Sequence, residues 1–250
     1  MTPIIETTEL TKSYDGFFAV SDLNLHIPQG VVYGFLGPNG AGKSTTMKML
    51  LGLTRPTSGS FTIDGMQYPK ERLPILKKVA SLIEAPAFYG NLTGEENLEI
   101  IRRILDLPRS AVSEALEITG LSPYKGRTVK KYSLGMKQRL GLAQALIGKP
   151  PILLLDEPTN GLDPAGIHEI RELIRSLPQR YACTVLVCSH LLAEVERMAG
   201  WVGILNHGRL LFEGTLEQLR EDAAAQGYPT DNLEDTFLAL INQDNQRGGR

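Results

Sequence analysis

Apolar and polar residues alternate along the first 30 residues of the chain. The alternation is clear in IIETTELTKSY and again in FAVSDLNLHI, with the pair Asp15-Gly16 between the two segments. A period of two residues is typical of half-buried strands, and a turn pair between two such runs favours a hairpin. We therefore predict two antiparallel strands at the amino terminus, ending at Pro28-Gln29-Gly30.

Short apolar runs, separated by helical or loop segments, continue as far as residue 205. Runs of this length that alternate with helical patterns indicate the buried strands of a parallel sheet. The runs are VVYGFL, SFTIDG, KVASLIE, ILLLDE, CTVLVCS and WVGIL.

Amphipathic helical patterns replace the apolar runs between about residues 92 and 148. Apolar residues recur there at helical spacing, and Thr93 with Glu96 has the spacing of a capping box at the start of the first helix. This pattern predicts a helical insertion in an α/β core. The helical segments are TGEENLEIIRRIL, RSAVSEALEIT and SLGMKQRLGLAQALI.

Composition and charge exclude several classes of protein. The chain has 250 residues, of which 42% are hydrophobic and 22% charged, as in folded globular proteins. A net charge of -2 provides no bulk attraction to nucleic acid, and we expect no nucleic-acid partner. The aliphatic stretch Ile152–Leu155 is far shorter than the roughly 20 residues of a membrane span. Because the first residues also lack the pattern of a secretory signal, we expect a cytoplasmic protein.

The chain has two cysteines, Cys183 and Cys188, which lie in one predicted strand. Their spacing of five residues directs them to opposite faces of that strand. We therefore predict two buried thiols and neither a disulfide nor a zinc pair.

A glycine-rich segment lies between the predicted strand VVYGFL and the helical pattern TTMKMLLGL. It matches the phosphate-loop pattern in the context that this motif requires. Backbone N–H groups and the positive end of the helix surround phosphate oxygens, Lys43 reaches the β- and γ-phosphates, and Ser44 binds Mg²⁺. We therefore predict a nucleoside triphosphate and Mg²⁺ as ligands. The predicted nucleotide-binding residues of the loop are Gly37, Pro38, Asn39, Gly40, Ala41, Gly42, Lys43, Ser44 and Thr45.

Two carboxylates follow the apolar run Ile152–Leu155. Phosphate-loop NTPases place a metal-binding acid at the end of such a strand, and we assign that role to Asp156. Glu157 faces a different direction because it is one residue further along, and it is the candidate base for the attacking water. These two motifs indicate only a nucleoside triphosphatase, since many families share them.

A third motif indicates which family of nucleoside triphosphatases the chain resembles. The segment Tyr132–Arg139 opens a predicted helix shortly before Asp156 and resembles the signature sequence of ATP-binding cassette proteins. Other elements follow the order found in that family. Tyr14 resembles the residue that stacks on adenine, Asn160–Asp163 the loop after the catalytic glutamate, and His190 the switch histidine. The resemblance covers nearly the whole chain.

The resemblance implies an α/β fold. It comprises a phosphate-loop NTPase core with a parallel sheet, an antiparallel β subdomain and an inserted α-helical subdomain. We expect residues 1–250 to form a single ATP-binding domain, with the helical signature subdomain at about 85–148 and a helical tail at about 215–250.

The resemblance also implies two partners. Ser133 and Gly135, at the start of their helix, form a second anion site that the insertion carries away from the chain's own phosphate loop. That site is expected to meet the ATP of a second copy in a head-to-tail dimer, across which Asp163 communicates. Because the chain has no predicted membrane span, transport requires integral membrane permease subunits. These would hold the chain at the cytoplasmic face of the membrane.

Two departures from the usual family pattern indicate a subfamily. Glu84 stands where the family commonly has a glutamine that contacts the metal and the attacking water, so we predict that Glu84 takes part in catalysis and metal binding. Its added negative charge would need Mg²⁺ or a proton to balance it. Leu134 and Met136 stand where glycine and glutamine are commonest in the signature. In both departures the chain resembles the ATP-binding subunits of lantibiotic-immunity and bacitracin-resistance exporters.

The expected function is ATP hydrolysis that energises the export of an antimicrobial peptide. One alternative is a general exporter of another cargo, in which the glutamate at position 84 is drift. Another is a non-transport cassette ATPase that acts on ribosomes or DNA, although such relatives generally carry two cassettes or a long coiled-coil insertion. A nucleotide-regulated binding module without turnover is opposed by the presence of Glu157 and His190.

Overall fold

Two β-sheets frame the protein, which the computed structural model describes over residues 2–83, 86–228 and 232–246. The predicted amino-terminal hairpin is present in the first sheet, whose strands pair antiparallel. Asp15 and Gly16 at its turn have φ values of 48° and 87°, the left-handed backbone that such hairpin turns use. The strands of this sheet are β1 (Pro3–Tyr14), β2 (Phe17–Leu23), β3 (His26–Pro28), β5 (Ser58–Ile63) and β6 (Met66–Gln67).

The second sheet is parallel except for one edge strand, which pairs antiparallel with its neighbour. Its central strands are buried on both faces, as expected where helices cover a parallel sheet. In order across this sheet, the strands are β11 (Arg209–Thr215), β10 (Trp201–Asn206), β4 (Val32–Leu36), β9 (Thr184–Ser189), β8 (Ile152–Asp156) and β7 (Val79–Leu82).

The prediction of a parallel strand is wrong for the run SFTIDG. This run forms most of β5, which pairs antiparallel with β1 and places Phe61 opposite Thr7. Phe61 and Ile63 are buried, whereas Thr62 between them is half-buried, the alternation of a strand covered on one face. A short apolar run identifies a strand but not the neighbour with which it pairs.

Helices lie on both faces of the six-stranded sheet. Within the described part of the chain, no helix is long and apolar enough to cross a membrane. The helices are α1 (Lys43–Leu50), α2 (Arg72–Lys78), α3 (Gly94–Ile104), α4 (Ser110–Ile118), α5 (Leu134–Leu146), α6 (Pro164–Tyr181), α7 (Leu192–Glu196), α8 (Leu216–Ala225) and α9 (Leu233–Gln246).

Two apolar clusters contain alternate residues of the central strands, so they lie on opposite faces of the sheet. Cys188 belongs to the cluster that includes Met47 of α1, and Cys183 to the cluster that includes Ile170 of α6. Both cysteines are buried and free, which confirms the prediction of two buried thiols, although Cys183 lies one residue before β9. Burial raises the pKa of the Cys183 thiol to about 12 and that of Cys188 well above its ordinary value. Both thiols therefore stay protonated at neutral pH.

The predicted helical insertion consists of α3, α4 and α5, which share a third apolar cluster. Helix α5 is buried on two sides. Leu140 and Ala143 pack inside the helical cluster, whereas Leu142 and Leu146 pack against the sheet. The insertion is therefore attached to the core through α5.

The start of α3 offers a test of local stability. Thr93 Oγ1 accepts a hydrogen bond from the Glu96 N–H at 3.1 Å, and Glu96 Oε2 accepts one from the Thr93 N–H at 2.7 Å. This is the predicted capping box. Thr93→Ala should lower the free energy of unfolding by about 1 kcal/mol because the Glu96 N–H loses its side-chain acceptor. Urea unfolding checks this. Thr93→Ser keeps the hydroxyl, and an equal loss in that variant would contradict the explanation.

Candidate functional site

The glycine-rich loop connects β4 to α1, as its motif predicted. Gly40 and Gly42 have φ values of 82° and 108°, a backbone conformation that glycine adopts readily. A Cβ at Gly42 would collide with the carbonyl oxygen of Ala19. The loop therefore packs directly on β2, and Gly42 cannot be replaced without moving one of the two backbones.

Lys43 and Ser44 lie in the first turn of α1, which begins two residues earlier than the pattern TTMKMLLGL suggested. Lys43 is only 6% exposed. Its Nζ donates hydrogen bonds to the carbonyl oxygens of Gly37 at 2.6 Å and Pro38 at 3.2 Å. The ammonium group is therefore held inside the loop. Phosphate oxygens are stronger acceptors than these carbonyls because they carry charge.

Ser44, in the first turn of α1, is in contact with Asp156, at the end of β8. Asp156 is the last residue of β8, and its Oδ2 accepts a hydrogen bond from Ser44 Oγ at 2.8 Å. Mg²⁺ in phosphate-binding sites is usually held by one or two protein oxygen groups, with phosphate oxygens and waters completing the shell. A hydroxyl and a carboxylate at the edge of a phosphate loop fit that requirement.

Glu157 and His190 meet because β8 and β9 are parallel neighbours, with Asp156 opposite Cys188. Glu157 Oε1 lies 2.8 Å from His190 Nδ1 and accepts a hydrogen bond from the His190 N–H at 3.1 Å. Glu157 has a φ of 49°, which costs about 1–2 kcal/mol for a residue with a Cβ. This turn takes its side chain out of the strand direction and toward the histidine.

A cleft of about 360 Å³ adjoins the loop. Residues 39–45, Asp156, Glu157, Phe17 and Ala19 line it. Phe17, two thirds exposed at the start of β2, was missed by the sequence reasoning. The signal that could have identified Phe17 is its position directly after the Asp15-Gly16 turn, in the hairpin that also carries Tyr14.

Tyr14 pairs with Phe17 across this hairpin. Lys12 Nζ lies 4.6 Å from the centre of the Tyr14 ring. Its role in stacking adenine stays a prediction.

The signature residues lie at the start of α5, and among the described residues none from this helix lines the cleft. Ser133 is exposed, and its side chain accepts a hydrogen bond from the Met136 N–H. A Cβ at Gly135 would lie 3.8 Å from Leu162, in the loop that follows Glu157. That loop ends at Asp163, whose carboxylate accepts a hydrogen bond from the Gly166 N–H and caps α6.

Glu84 lies outside the described residues, so its predicted contacts with metal and water stay a prediction. The strand before it, β7, pairs with β8 and places Leu82 opposite Leu155, directly before Asp156. Together, the phosphate loop, the strand-end aspartate bonded to its serine and the mostly parallel sheet define a phosphate-loop nucleoside triphosphatase.

Comparison with known proteins identifies the family. The model of the ABC transporter family matches residues 20–160. The bacitracin transport ATP-binding protein BcrA of Bacillus licheniformis is 49% identical over 222 residues, which are 88% of this chain and 72% of that protein. The lantibiotic transport ATP-binding protein SrtF of Streptococcus pyogenes is 42% identical over 84% of this chain and 90% of its own length. The chain belongs to the ABC transporter family.

Solved structures agree with this assignment. An ATP-binding subunit of an ABC transporter superposes with a TM-score of 0.82 at 28% identity, covering 95% of this chain and 99% of its own. A dimeric ATP-binding cassette, MJ0796, in a post-hydrolysis state with ADP and Pi, superposes with a TM-score of 0.75 at 26% identity, covering 85% and 98%. The predicted fold class and the predicted ATPase activity are confirmed.

Proposed function

We propose that the chain is the nucleotide-binding subunit of an exporter that removes an antimicrobial peptide of the lantibiotic or bacitracin kind from the cell. The observation that carries this proposal is its likeness, over more than four fifths of its length, to relatives named for bacitracin and lantibiotic transport. Export of another cargo by the same ATPase remains the alternative that the experiment below must distinguish.

The site residues divide the chemistry of ATP hydrolysis among them. Lys43 and the loop N–H groups bind the phosphates, and Ser44 with Asp156 would hold Mg²⁺, which neutralises charge that develops on the phosphates. Glu157 polarises the attacking water, and His190 orients the Glu157 carboxylate through their 2.8 Å contact. Tyr14 stacks on adenine at the hairpin end of the cleft.

A second copy of the chain completes each site. Ser133 is exposed at the N-terminus of a 13-residue helix, and such an end attracts anions through its free N–H groups. Because no residue of α5 lines the chain's own cleft within the described ranges, Ser133 and Gly135 would contact ATP bound by the other copy. The dimeric arrangement of MJ0796 supports this. ATP then joins the two copies until hydrolysis releases them.

The membrane partner docks in a groove of about 490 Å³ between the helical insertion and the edge of the six-stranded sheet. Apolar side chains from both parts line it, including Leu82 of β7 and Ala145 of α5. Leu53 stands at the same groove and is 67% exposed. A segment of a permease seated there lies one strand away from Asp156, because β7 is the parallel neighbour of β8. The movement that closes the ATP-bound dimer is thereby transmitted through this groove to the membrane subunits.

A complementation experiment tests the cargo. Deleting the gene in the source organism should increase sensitivity to one or more lantibiotics or bacitracin in a panel that also contains non-peptide drugs. Wild-type protein should restore resistance, whereas Glu157→Gln should not because turnover is lost. Unchanged sensitivity to every peptide would contradict the peptide cargo. Greater sensitivity only to non-peptide drugs would favour the general exporter.

The same strain tests the docking groove. Leu53→Asp places a charge on the groove without touching the ATP cleft, so the purified variant should hydrolyse ATP as wild type does and still fail to restore resistance. The matched control is Leu73→Asp, because Leu73 is an equally exposed leucine that lies away from the groove, on α2. This variant should restore resistance. Full resistance with Leu53→Asp would contradict docking at this groove.

A further inference from the structure

A partly buried hydrogen bond joins the loop after Glu157 to the helix after His190. Thr159 is 4% exposed, and its Oγ1 donates to Oε2 of Glu194 on α7. A carboxylate acceptor makes such a bond stronger than one between neutral groups. The contact spans 35 residues of sequence, so it forms only when the two segments occupy their native positions.

Each end of this bond belongs to a segment that other contacts also hold in place. On the loop side, the Asn160 N–H donates to the Glu157 carbonyl at 3.1 Å and the Leu162 N–H to the Thr159 carbonyl at 3.2 Å. On the helix side, Leu192 and Val195 flank Glu194 and are buried in the core. A side chain that connects two such segments fixes the distance between them.

The contact between Glu157 and His190 itself is partly exposed, with side-chain exposures of 23% and 39%. Water competes for exposed polar contacts, so such a pair does little to hold its own geometry. We propose that Thr159 and Glu194 are positioning residues that hold the Glu157 loop and the His190 segment in register for hydrolysis. This proposal rests on the roles proposed above for Glu157 and His190.

The loop has a second support, so losing the bond should misplace it without unfolding the domain. A Cβ at Gly161 would lie 3.1 Å from Leu134 of α5, and the partly buried side chain of Leu162 packs against the apolar core. Thr159→Val keeps the shape of the side chain and removes only the hydroxyl. We expect a small error in the position of Glu157, and such errors are costly in catalysis.

The test is steady-state ATPase kinetics on the purified full chain. For Thr159→Val we expect kcat to fall about tenfold or more. KM for ATP should stay within about twofold, because the phosphate loop is untouched. Thr159→Ser restores the hydroxyl and should recover most of the rate. Glu194→Leu should behave like Thr159→Val, whereas Glu194→Gln, which keeps an acceptor oxygen, should be intermediate.

Glu196→Leu is the matched control, since Glu196 lies on the same helix and forms a surface ion pair with Arg220. It should hydrolyse ATP as wild type does. A wild-type kcat in Thr159→Val, or equal losses in Thr159→Val and Thr159→Ser, would overturn the proposal. If circular dichroism shows that Thr159→Val does not fold, the comparison of Glu194→Leu with Glu194→Gln tests the proposal instead. Equal rates in these two variants would overturn it.

The variant Glu157→Gln shows separately whether the role proposed for Glu157 fails. If Glu157→Gln hydrolyses ATP at the wild-type rate, the assignment of Glu157 fails, whatever the result at Thr159. If Glu157→Gln is inactive and Thr159→Val is fully active, only the positioning proposal fails.

Discussion

Replacing Glu157 by glutamine should abolish ATP turnover and leave ATP binding and dimer formation intact. The amide has the shape of the carboxylate, and its oxygen can still accept the hydrogen bond that the His190 N–H now donates to Glu157 at 3.1 Å. It cannot accept a proton from water. Loss of a general base lowers rates by about 10²–10⁴-fold, and with hydrolysis blocked the ATP-bound dimer should accumulate.

Two measurements on the same protein check this result. Phosphate release gives the turnover, and light scattering after size-exclusion chromatography with ATP and Mg²⁺ gives the oligomeric state. Glu196→Gln, which changes an exposed glutamate outside the cleft, should leave both unchanged. Wild-type turnover by Glu157→Gln would remove Glu157 from the role of base, and a monomer with bound ATP would contradict the proposed dimer.

Lys43→Met should have the second largest effect, on nucleotide affinity. Methionine is close to lysine in length but cannot neutralise phosphate charge. The Lys43 ammonium is nearly buried and bonded to two loop carbonyls, so it is already oriented before ATP arrives. Removing one partner of a buried charge pair costs about 2–5 kcal/mol, which corresponds to at least about thirtyfold in Kd.

Equilibrium titration with a fluorescent ATP analogue measures this loss. Lys77→Met, at an exposed lysine in the last turn of α2, should bind the analogue with wild-type affinity. Lys43→Arg should also bind weakly, since a planar guanidinium does not fit a loop shaped around a compact ammonium. Wild-type affinity in Lys43→Met would contradict the placement of the phosphates at this loop.

The local parts of the structure follow from residue type and spacing along the chain. The phosphate loop is one continuous segment, and its strand and helix follow from the periodicity of their own residues. The hairpin turn at Asp15-Gly16 and the capping box of Thr93 and Glu96 likewise depend on neighbours in the chain. In each case the interacting groups are a few residues apart, so residue type and spacing were sufficient.

Which distant segments meet depends on the packing of the whole fold. It assigned β5 to the antiparallel sheet, brought Phe17 to the cleft, and joined Thr159 to Glu194. Glu157 and His190 are 33 residues apart and meet because their strands are neighbours. Hydrophobic periodicity shows which side of a strand is buried, but the order of strands in a sheet depends on how all the elements pack together.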